Sequence, residues 1–395
     1  MKHVAALLAV LLLGACASTD EIDIEPKELE DFSAKVKIKE VWSRDIGAGQ
    51  DDRYTRLVPA VYGSSIYAVD IEGEVVAMDK SNGDVQWRVS LVDQLSEDEA
   101  SWWSSEVPVA VSAGVTANAE RLLIGTYKGE VIALNRADGA ELWRARLSSE
   151  VLAEPVESMG VVVALTNDGK LYGIDAQTGA EKWMFESVQP VLTLRGTSAP
   201  IVKGDVVYAG FDNGKVYAFE IDTGLIQWEQ RVAIPKGKTE LERIVDIDGT
   251  PLLAGEILLA VSFQGRLVAF SSATGRPLWA EDASSVQGPA ADYGQVYISG
   301  ESDKVQAFSL ANGVSLWENT DLLRRKLSPP VAWGDYVGVA DYEGYLHLLT
   351  RDAGQMAART RVDSDGVRAP MLVDGDTLYV LGSGGELSAL KLKPL

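Results

Sequence analysis

The chain is built from a unit that is clearest in DNGKVYAFEIDTGLIQW, residues 212–228. Its first three residues, ending at Gly214, predict a tight turn, because Asn and Gly tolerate the positive φ that such turns need. The β-branched and aromatic residues of 215–221 predict a strand. A second turn ends at Gly224, and residues 225–230 predict a second strand that carries Trp228. An antiparallel hairpin of this size is marginal alone in water, so the unit needs neighbours.

The unit recurs along the chain with a fixed internal spacing. One turn glycine is followed ten residues later by a second glycine, and a tryptophan comes four residues after that. Five copies keep this register: Gly73, Gly83 and Trp87; Gly129, Gly139 and Trp143; Gly169, Gly179 and Trp183; Gly214, Gly224 and Trp228; Gly265, Gly275 and Trp279. A sixth copy has Asp303 in place of the first glycine, and a seventh has Ala358 in place of the tryptophan. An eighth begins at Gly385 and stops before its second turn.

Two further short apolar runs and a proline precede each hairpin, so each unit has four strands at a period of roughly 40 to 55 residues. Units of this kind are typical of a β-propeller, whose blades stack around a central channel. Neighbouring blades cover both faces of each blade, which explains the nearly continuous apolar strands. We therefore predict an all-β, eight-bladed β-propeller with four antiparallel strands per blade and the tryptophans packed between blades. Residues 39–44 (KEVWSR) resemble the tryptophan strands, and we predict that this N-terminal strand completes the last blade and closes the ring.

The N-terminal region predicts export and lipidation. Residues 1–15 have one lysine followed by an apolar core, as in a short signal peptide. Leu13-Gly14-Ala15-Cys16 resembles the bacterial lipobox, in which the cysteine becomes the lipidated first residue; a chance cysteine near the end of a signal peptide is the alternative. By this resemblance, the protein is lipid-anchored in the outer membrane and faces the periplasm. Residues 16–39 predict an acidic flexible tether, and residues 40–395 the propeller.

The formal net charge of −22 narrows the choice of partners. It makes nucleic acid an improbable partner and disfavours broad adhesion to anionic lipid headgroups. It favours proteins with basic or amphipathic surfaces. The alternative is that the acidity only keeps the protein soluble.

The sequence is poor in catalytic groups. Outside the predicted signal peptide His347 is the only histidine, and a single histidine on a propeller strand is more often structural than catalytic. No G-x-S-x-G pattern occurs, and one cysteine with one histidine cannot supply a zinc site. Residues 246–249 (DIDG) and 363–366 (DSDG) superficially suggest calcium loops, but neither has the glutamate that such loops carry at position twelve. We interpret both as ordinary turns and predict no enzyme, no metal and no cofactor.

The repeat G-x-[LV]-x-A-[LF]-x-x-x-[TN]-G-x-x-x-W resembles that of the quinoprotein (PQQ) dehydrogenases. Those enzymes hold the quinone and calcium beneath a disulfide between adjacent cysteines, which a chain with one cysteine cannot form. A repeat is a signature of folding, so function has to be argued from a site. A periplasmic PQQ-dependent quinoprotein dehydrogenase remains one alternative.

The lipobox, acidic tether and single eight-bladed PQQ-like propeller together resemble the BamB family, lipoproteins of the outer-membrane β-barrel assembly (BAM) complex. The connectors 192–200 (LTLRGTSAP), 239–243 (TELER) and 246–251 (DIDGTP) are similar to those of the family. The resemblance implies a non-catalytic scaffold that binds the periplasmic POTRA domains of BamA together with other BAM subunits. It also implies that the protein helps unfolded outer-membrane protein clients to fold and insert. A generic propeller that binds peptides at a blade edge is a further alternative.

The long connectors on either side of blade 4 are the predicted docking site, because loops of this length are usually functional or disordered. Leu192 and Leu194 alternate on a short extended run beside Arg195, and we interpret this apolar pair with its arginine as a binding hot spot. We predict that these three residues dock on the partner and that Asp246 and Asp248 place charge next to them. The alternative is that both leucines tuck under the loop.

A second candidate contact is the Trp102-Trp103 pair, in the connector that follows the first blade. Large aromatic side chains are frequent anchors in interfaces. The alternative is that the pair caps blade 1.

Overall fold

Strands form where the apolar runs of the repeat lie, and turns form at its glycines. The computed structural model describes residues 25–50, 55, 57–94, 106–196 and 198–395. These residues form eight four-stranded antiparallel sheets, each from four strands that are consecutive in the chain except in the last blade. This is the predicted eight-bladed propeller. Within the described residues the only helix is a single 3-10 turn, Leu241–Arg243, and none is long enough to cross a membrane.

The strand bounds follow the repeat closely. The N-terminal strand β1 is Lys37–Asp45. Blade 1 contains β2 Ala60–Tyr62, β3 Ser65–Val69, β4 Glu74–Asp79 and β5 Val85–Ser90, and a two-stranded ribbon of β6 Val92–Gln94 and β7 Glu106–Pro108 follows it. Blade 2 contains β8 Val111–Ala117, β9 Arg121–Thr126, β10 Glu130–Asn135 and β11 Glu141–Arg146; blade 3 contains β12 Val156–Ser158, β13 Val161–Leu165, β14 Lys170–Asp175 and β15 Glu181–Glu186. Blade 4 contains β16 Ile201–Lys203, β17 Val206–Gly210, β18 Lys215–Glu220 and β19 Ile226–Arg231; blade 5 contains β20 Leu252–Ala254, β21 Ile257–Val261, β22 Arg266–Ser271 and β23 Pro277–Asp282.

The remaining blades complete the ring. Blade 6 contains β24 Ala290–Asp292, β25 Gln295–Ser299, β26 Val305–Ser309 and β27 Ser315–Asn319; blade 7 contains β28 Val331–Trp333, β29 Tyr336–Ala340, β30 Tyr345–Thr350 and β31 Met356–Arg361. Blade 8 contains β32 Leu372–Asp374, β33 Thr377–Leu381 and β34 Glu386–Lys393, and β1 is its fourth strand. The N-terminal strand therefore closes the ring, as predicted.

The hydrophobic core lies between adjacent blades. Between blades 3 and 4, for example, Val161 and Leu171 form one buried cluster with Val207 and Phe219. Because both faces of the inner strands are covered in this way, their side chains are buried whether they point to one face or the other. Successive layers of this kind replace the single core of a smaller domain.

At seven junctions between blades, one tryptophan joins a blade to the next. Each indole N–H donates to a backbone carbonyl of the following blade, at 2.8–3.2 Å: Trp42 to Lys80, Trp87 to Arg136, Trp143 to Ala176, Trp183 to Ile221, Trp228 to Ser272, Trp279 to Leu310 and Trp317 to Arg351. The ring also covers the second repeat glycine of that blade. A Cβ on this glycine would come within 2.3–2.8 Å of the indole in every case: Gly83, Gly139, Gly179, Gly224, Gly275, Gly313 and Gly354. The repeat therefore encodes contacts between blades as well as turns within them.

Blade 7 makes this contact differently. Ala358 occupies its tryptophan position, and Trp333 on the first strand supplies the indole instead. Trp333 is buried, and its N–H donates to the carbonyl of Asp376 in blade 8 at 3.1 Å. The interblade hydrogen bond is thus kept while its donor moves to another strand.

Residues 25–36 differ from the predicted tether. They lie against blade 7 and the connector before it: Lys27 N donates to Leu323 O at 3.0 Å, and Lys35 N donates to Ala357 O at 2.8 Å. Arg359 donates to Glu30 O at 3.2 Å, and Val36 is buried. Backbone carbonyls of this segment satisfy arginines of the propeller, which acidic composition alone did not reveal. The propeller strand itself begins at Lys37 and not at residue 40.

Candidate functional site

The connector between β15 and β16 exposes apolar side chains next to the predicted docking residues. Val188 and Val191 are 84% and 89% exposed, and Leu192 is 38% exposed. Contiguous exposed apolar side chains mark surfaces that bind other molecules. Leu192 is therefore on the surface, and the alternative that both leucines tuck under the loop does not hold for it. Leu194 is half-buried.

The connector between β19 and β20 lies beside the first. Its outer part exposes Ile234 and Leu241. Glu242 stabilises the 3-10 turn there, because its Oε2 accepts from the backbone N–H groups of Lys238 at 2.7 Å and Thr239 at 3.0 Å. The part that follows, residues 244–249, is entirely buried. Each connector thus has an exposed apolar portion supported by residues fixed within the propeller.

Hydrogen bonds tie the two connectors together. The backbone N–H of Leu194 donates to Oδ2 of Asp246, and the hydroxyl of Ser198 donates to Gly249 O at 3.3 Å. Gly196 lies so close to Asp248 that a Cβ there would be 2.7 Å from Oδ1. The structure therefore brings all five predicted docking residues into one place, around blade 4.

Arg195 presents its guanidinium at the surface. Its side chain is 64% exposed, and it forms an ion pair with Glu150 at 3.4 Å. The guanidinium carbon also lies 5.8 Å from the centre of the Tyr127 ring. An ion pair at such exposure contributes little to stability, so Arg195 is free to exchange Glu150 for another acidic group.

Asp246 and Asp248, which we predicted to place charge next to the other docking residues, do lie beside them but do not present their carboxylates at the surface. Their side chains are buried, with 0% and 3% of their residue surface exposed. The reason is the course of the second connector, which turns inward after the 3-10 turn and carries both aspartates under the first connector. Asp246 supports Leu194 through its hydrogen bond instead of meeting a partner itself.

Asp212 joins these two aspartates and was missed as a site residue. The residue opens the turn between β17 and β18, is buried, and lies with Asp246 and Asp248 so that one carboxylate oxygen of each is within 4.8 Å of the others. In the amide orientation that satisfies both of its polar atoms, Gln189 donates to Asp212 Oδ2 at 3.1 Å and accepts from the Gly169 N–H at 3.0 Å. In Asp70 and Asp341, by contrast, the carboxylate caps its own turn by accepting backbone N–H groups.

Burial and, after it, charge repulsion raise the pKa values of two of these carboxylates. Burial, and then the negative charges of Asp246 and Asp248, raise the pKa of Asp212 to about 8. Burial is also the largest cause of the raised pKa of Asp246, about 7, with repulsion from Asp248 in addition and the Leu194 hydrogen bond opposing both. The cluster therefore favours a bound proton or another positive charge.

A cavity of about 680 Å³ opens next to the docking residues. Leu194, Arg195 and Asp248 line one side, and residues from the turns and connectors of blades 5 to 8 line the rest. A cavity bordered by so many blades lies at the propeller axis. Its volume is in the range of ligand-binding pockets.

The remaining candidates fall into two groups. Cys16 and the Trp102-Trp103 pair lie outside the described residues. His347 is fully buried; its Nε2 is 2.9 Å from Asp341 Oδ2, and its Nδ1 accepts from Arg359 at 3.2 Å. Burial lowers the pKa of His347. Held on both nitrogens, this histidine supports the inner part of blade 7.

Comparisons with known proteins agree with the propeller fold and point to one protein family. A family model described as outer membrane protein assembly factor BamB matches residues 89–319 and 304–393. The outer membrane protein assembly factor BamB of Pseudomonas aeruginosa is 45% identical over 392 residues, which cover 99% of each chain. The crystal structure of BamB from Moraxella catarrhalis is similar with a TM-score of 0.79 and 26% identity, over 90% of this chain and 100% of that one.

A quinoprotein enzyme shares the fold alone. The quinohemoprotein alcohol dehydrogenase of Comamonas testosteroni is similar with a TM-score of 0.66 over 90% of this chain and 76% of that one. Its sequence is only 14% identical. At this level of sequence identity, the similarity shows a common propeller architecture and gives no evidence of a shared reaction.

Proposed function

Since this chain belongs to the BamB family of outer membrane protein assembly factors, we propose that it serves the assembly of outer-membrane proteins as a scaffold. Family membership makes it an assembly factor and not an enzyme. The proposed partner is the barrel-inserting subunit BamA, bound through its periplasmic POTRA domains. Unfolded outer-membrane proteins are the proposed clients, which the scaffold helps to fold and insert.

The exposed apolar connectors around blade 4 carry this proposal. Val191 and Leu192 offer an exposed apolar contact, and the exposed Arg195 beside them is of a residue type that is enriched in binding hot spots. The connectors are held by Asp246 and by the packing of residues 244–249, so little conformational entropy is lost when a partner binds. The docking surface is therefore defined here as the exposed side chains of residues 188–195.

We also propose that Cys16 carries a lipid that anchors the protein to the outer membrane on its periplasmic face. The lipobox supports this, because the preceding Leu13-Gly14-Ala15 places a small residue before the cysteine. Acyl chains contribute about 0.8 kcal/mol per buried CH₂, so two or more give stable attachment. Anchoring in this way leaves the propeller in the periplasm, where the POTRA domains lie.

Charge substitutions on the docking surface are expected to abolish copurification with BamA. Leu192→Glu and Arg195→Glu together place two negative charges where an apolar group and a cation now lie, and we expect at least a hundredfold weaker binding to purified POTRA domains, about 3 kcal/mol. The matched control is Leu316→Glu with Arg276→Glu, which changes an exposed leucine and an exposed arginine on blades 6 and 5. Binding is measured by titration with the soluble protein, and copurification from detergent-solubilised outer membranes.

The outcomes separate function from site. Weaker binding for the first pair and unchanged binding for the control pair supports both the partner and the surface. Binding that survives the first pair would move the site away from residues 188–195. Absence of BamA from the unsubstituted sample would contradict the proposed partner.

A further inference from the structure

Three buried aspartates meet beneath the docking surface, at the junction of blades 4 and 5. Asp212 comes from the turn between β17 and β18, while Asp246 and Asp248 alternate on the buried end of the connector between blades 4 and 5. One oxygen of each carboxylate lies within 4.8 Å of the other two. Ile247, between the last two, packs against Gly210, where a Cβ would be 2.5 Å away from it. The backbone on both sides is thus held, and the carboxylates cannot easily separate.

Within the described residues, two of the three aspartates have no lysine or arginine that balances their negative charge. Neither Asp212 nor Asp246 forms an ion pair there with lysine or arginine. Oδ1 of Asp246 has no hydrogen-bond partner in that part of the chain, and Asp246 is completely buried. A buried polar atom of this kind normally has a partner. Because this atom belongs to one of three clustered carboxylates, its missing partner points to a ligand that is itself positive.

We propose that Asp212, Asp246 and Asp248 bind a divalent metal ion, with calcium preferred. The donor set consists only of carboxylate oxygens, which hard cations prefer, and it offers neither the sulfur nor the nitrogen donors of a zinc site. A site with three protein carboxylates favours calcium over magnesium. Calcium tolerates a flexible ligand geometry, whereas magnesium requires a near-ideal octahedron, keeps several of its waters and is usually held by only one or two carboxylates. The three oxygens lie within 4.8 Å of one another, close enough to share one ion.

Two openings give solvent access to the cluster. A cavity of about 530 Å³ between the two connectors is lined by Gln189, Asp212 and Val245. The axial cavity reaches Asp248 from the other side. Calcium takes six to eight oxygen ligands, and water completes such sites where protein groups are too few. Both an entry path and room for water are present.

A bound ion would also stiffen the docking surface. Asp246 accepts the N–H of Leu194 through Oδ2, and an ionised carboxylate makes the stronger hydrogen bond. The effect of the metal ion on partner binding rests on the proposed function. The metal site itself does not rest on it, because all three ligands belong to this chain.

The test uses the purified protein alone, treated with a chelator and then dialysed free of it. Calcium is expected to raise the midpoint of thermal unfolding by about 3–6 °C at a hundredfold excess over Kd. Terbium, a luminescent substitute for calcium, is expected to bind and to be displaced by calcium. Asp212→Asn and Asp246→Asn should each abolish both responses. Asp205→Asn, which removes an exposed carboxylate from a turn of the same blade, should leave both unchanged.

A misfolded variant cannot imitate the expected result. Asp212→Asn removes repulsion among buried carboxylates, so its unfolding midpoint without metal should equal or exceed that of the unsubstituted protein. Higher basal stability combined with loss of the calcium response therefore supports the site. Absence of a calcium or terbium response in the unsubstituted protein overturns the proposal, as does a response that persists in both asparagine variants. A larger response to magnesium than to calcium overturns the preference. Since no partner is present, none of these outcomes bears on BamA binding.

Discussion

Replacement of Trp143 by alanine is expected to lower the free energy of unfolding by about 3–5 kcal/mol. Trp143 is buried between blades 2 and 3, and its indole N–H donates to Ala176 O at 2.9 Å. The substitution removes a large apolar group and leaves a buried carbonyl without its donor. Equilibrium unfolding in urea measures the loss through the shift of the midpoint at unchanged slope.

Gly179 allows a sharper test, because it lies under this ring. A Cβ at Gly179 would be 2.8 Å from the indole, and its φ is +73°. Gly179→Ala thus incurs both a backbone penalty, about 1–2 kcal/mol, and a steric clash. Gly160 on the same blade is the matched control, since its φ is +79° but a Cβ there meets nothing within 4 Å. Gly160→Ala should show the backbone penalty alone.

A double-mutant cycle then isolates the contact between blades. Once Trp143→Ala has removed the ring, Gly179→Ala should cost no more than Gly160→Ala, which gives a coupling energy of about 1–2 kcal/mol. Strict additivity of the two substitutions, or equal costs for the two glycines in the unsubstituted protein, would contradict the role assigned to the repeat spacing. The same logic applies at six other blade junctions.

The fold was predictable because its contacts repeat. The same spacing, ten residues from one glycine to the next and four more to the tryptophan, recurs in copy after copy. One hairpin therefore predicts the architecture of the others. The closing strand was predictable because Trp42 lies in a strand pattern that has no hairpin of its own. The role of Trp333, which replaces the repeat tryptophan missing at Ala358, was not predictable. An indole on a first strand belongs to no repeat, and only the packing of blades 7 and 8 reveals its contact.

The site was predictable only in part. Connector length and the Leu192-Thr193-Leu194-Arg195 sequence directed attention to the right loops. Burial of Asp246 and Asp248 was not predictable, because a connector has no periodicity from which to infer the face that each side chain occupies. Asp212 was taken as a turn residue, although the other repeat turns offered a signal: Asp212 and Glu301 are the only carboxylates at the second position before the repeat glycine or its replacement.

A chain that lacks residues 1–45 is expected to lose its cooperative unfolding transition and to self-associate. The deletion removes β1, whose eight residue pairs with β34 complete blade 8. It also removes Trp42, whose N–H donates to Lys80 O at 3.1 Å across the junction with blade 1. Loss of one interblade tryptophan alone costs about 3–5 kcal/mol, a large fraction of the roughly 5–15 kcal/mol by which a domain is stable. The outer edge of β34 would then be open to pairing with another chain.

The matched control is a chain that lacks only residues 1–35, which keeps β1 but removes most of the segment that packs on blade 7. That segment contributes peripheral contacts such as the Lys35–Ala357 hydrogen bond, so the control should remain monomeric with a midpoint lowered only slightly. Light scattering with size-exclusion chromatography measures association, and circular dichroism measures the thermal transition. If the shorter chain matched the control in both, the strand would be an accessory and the other seven blades would hold the ring by themselves. Recovery of the monomer on addition of a peptide of residues 36–46 would instead show that closure depends on the strand and not on its covalent attachment.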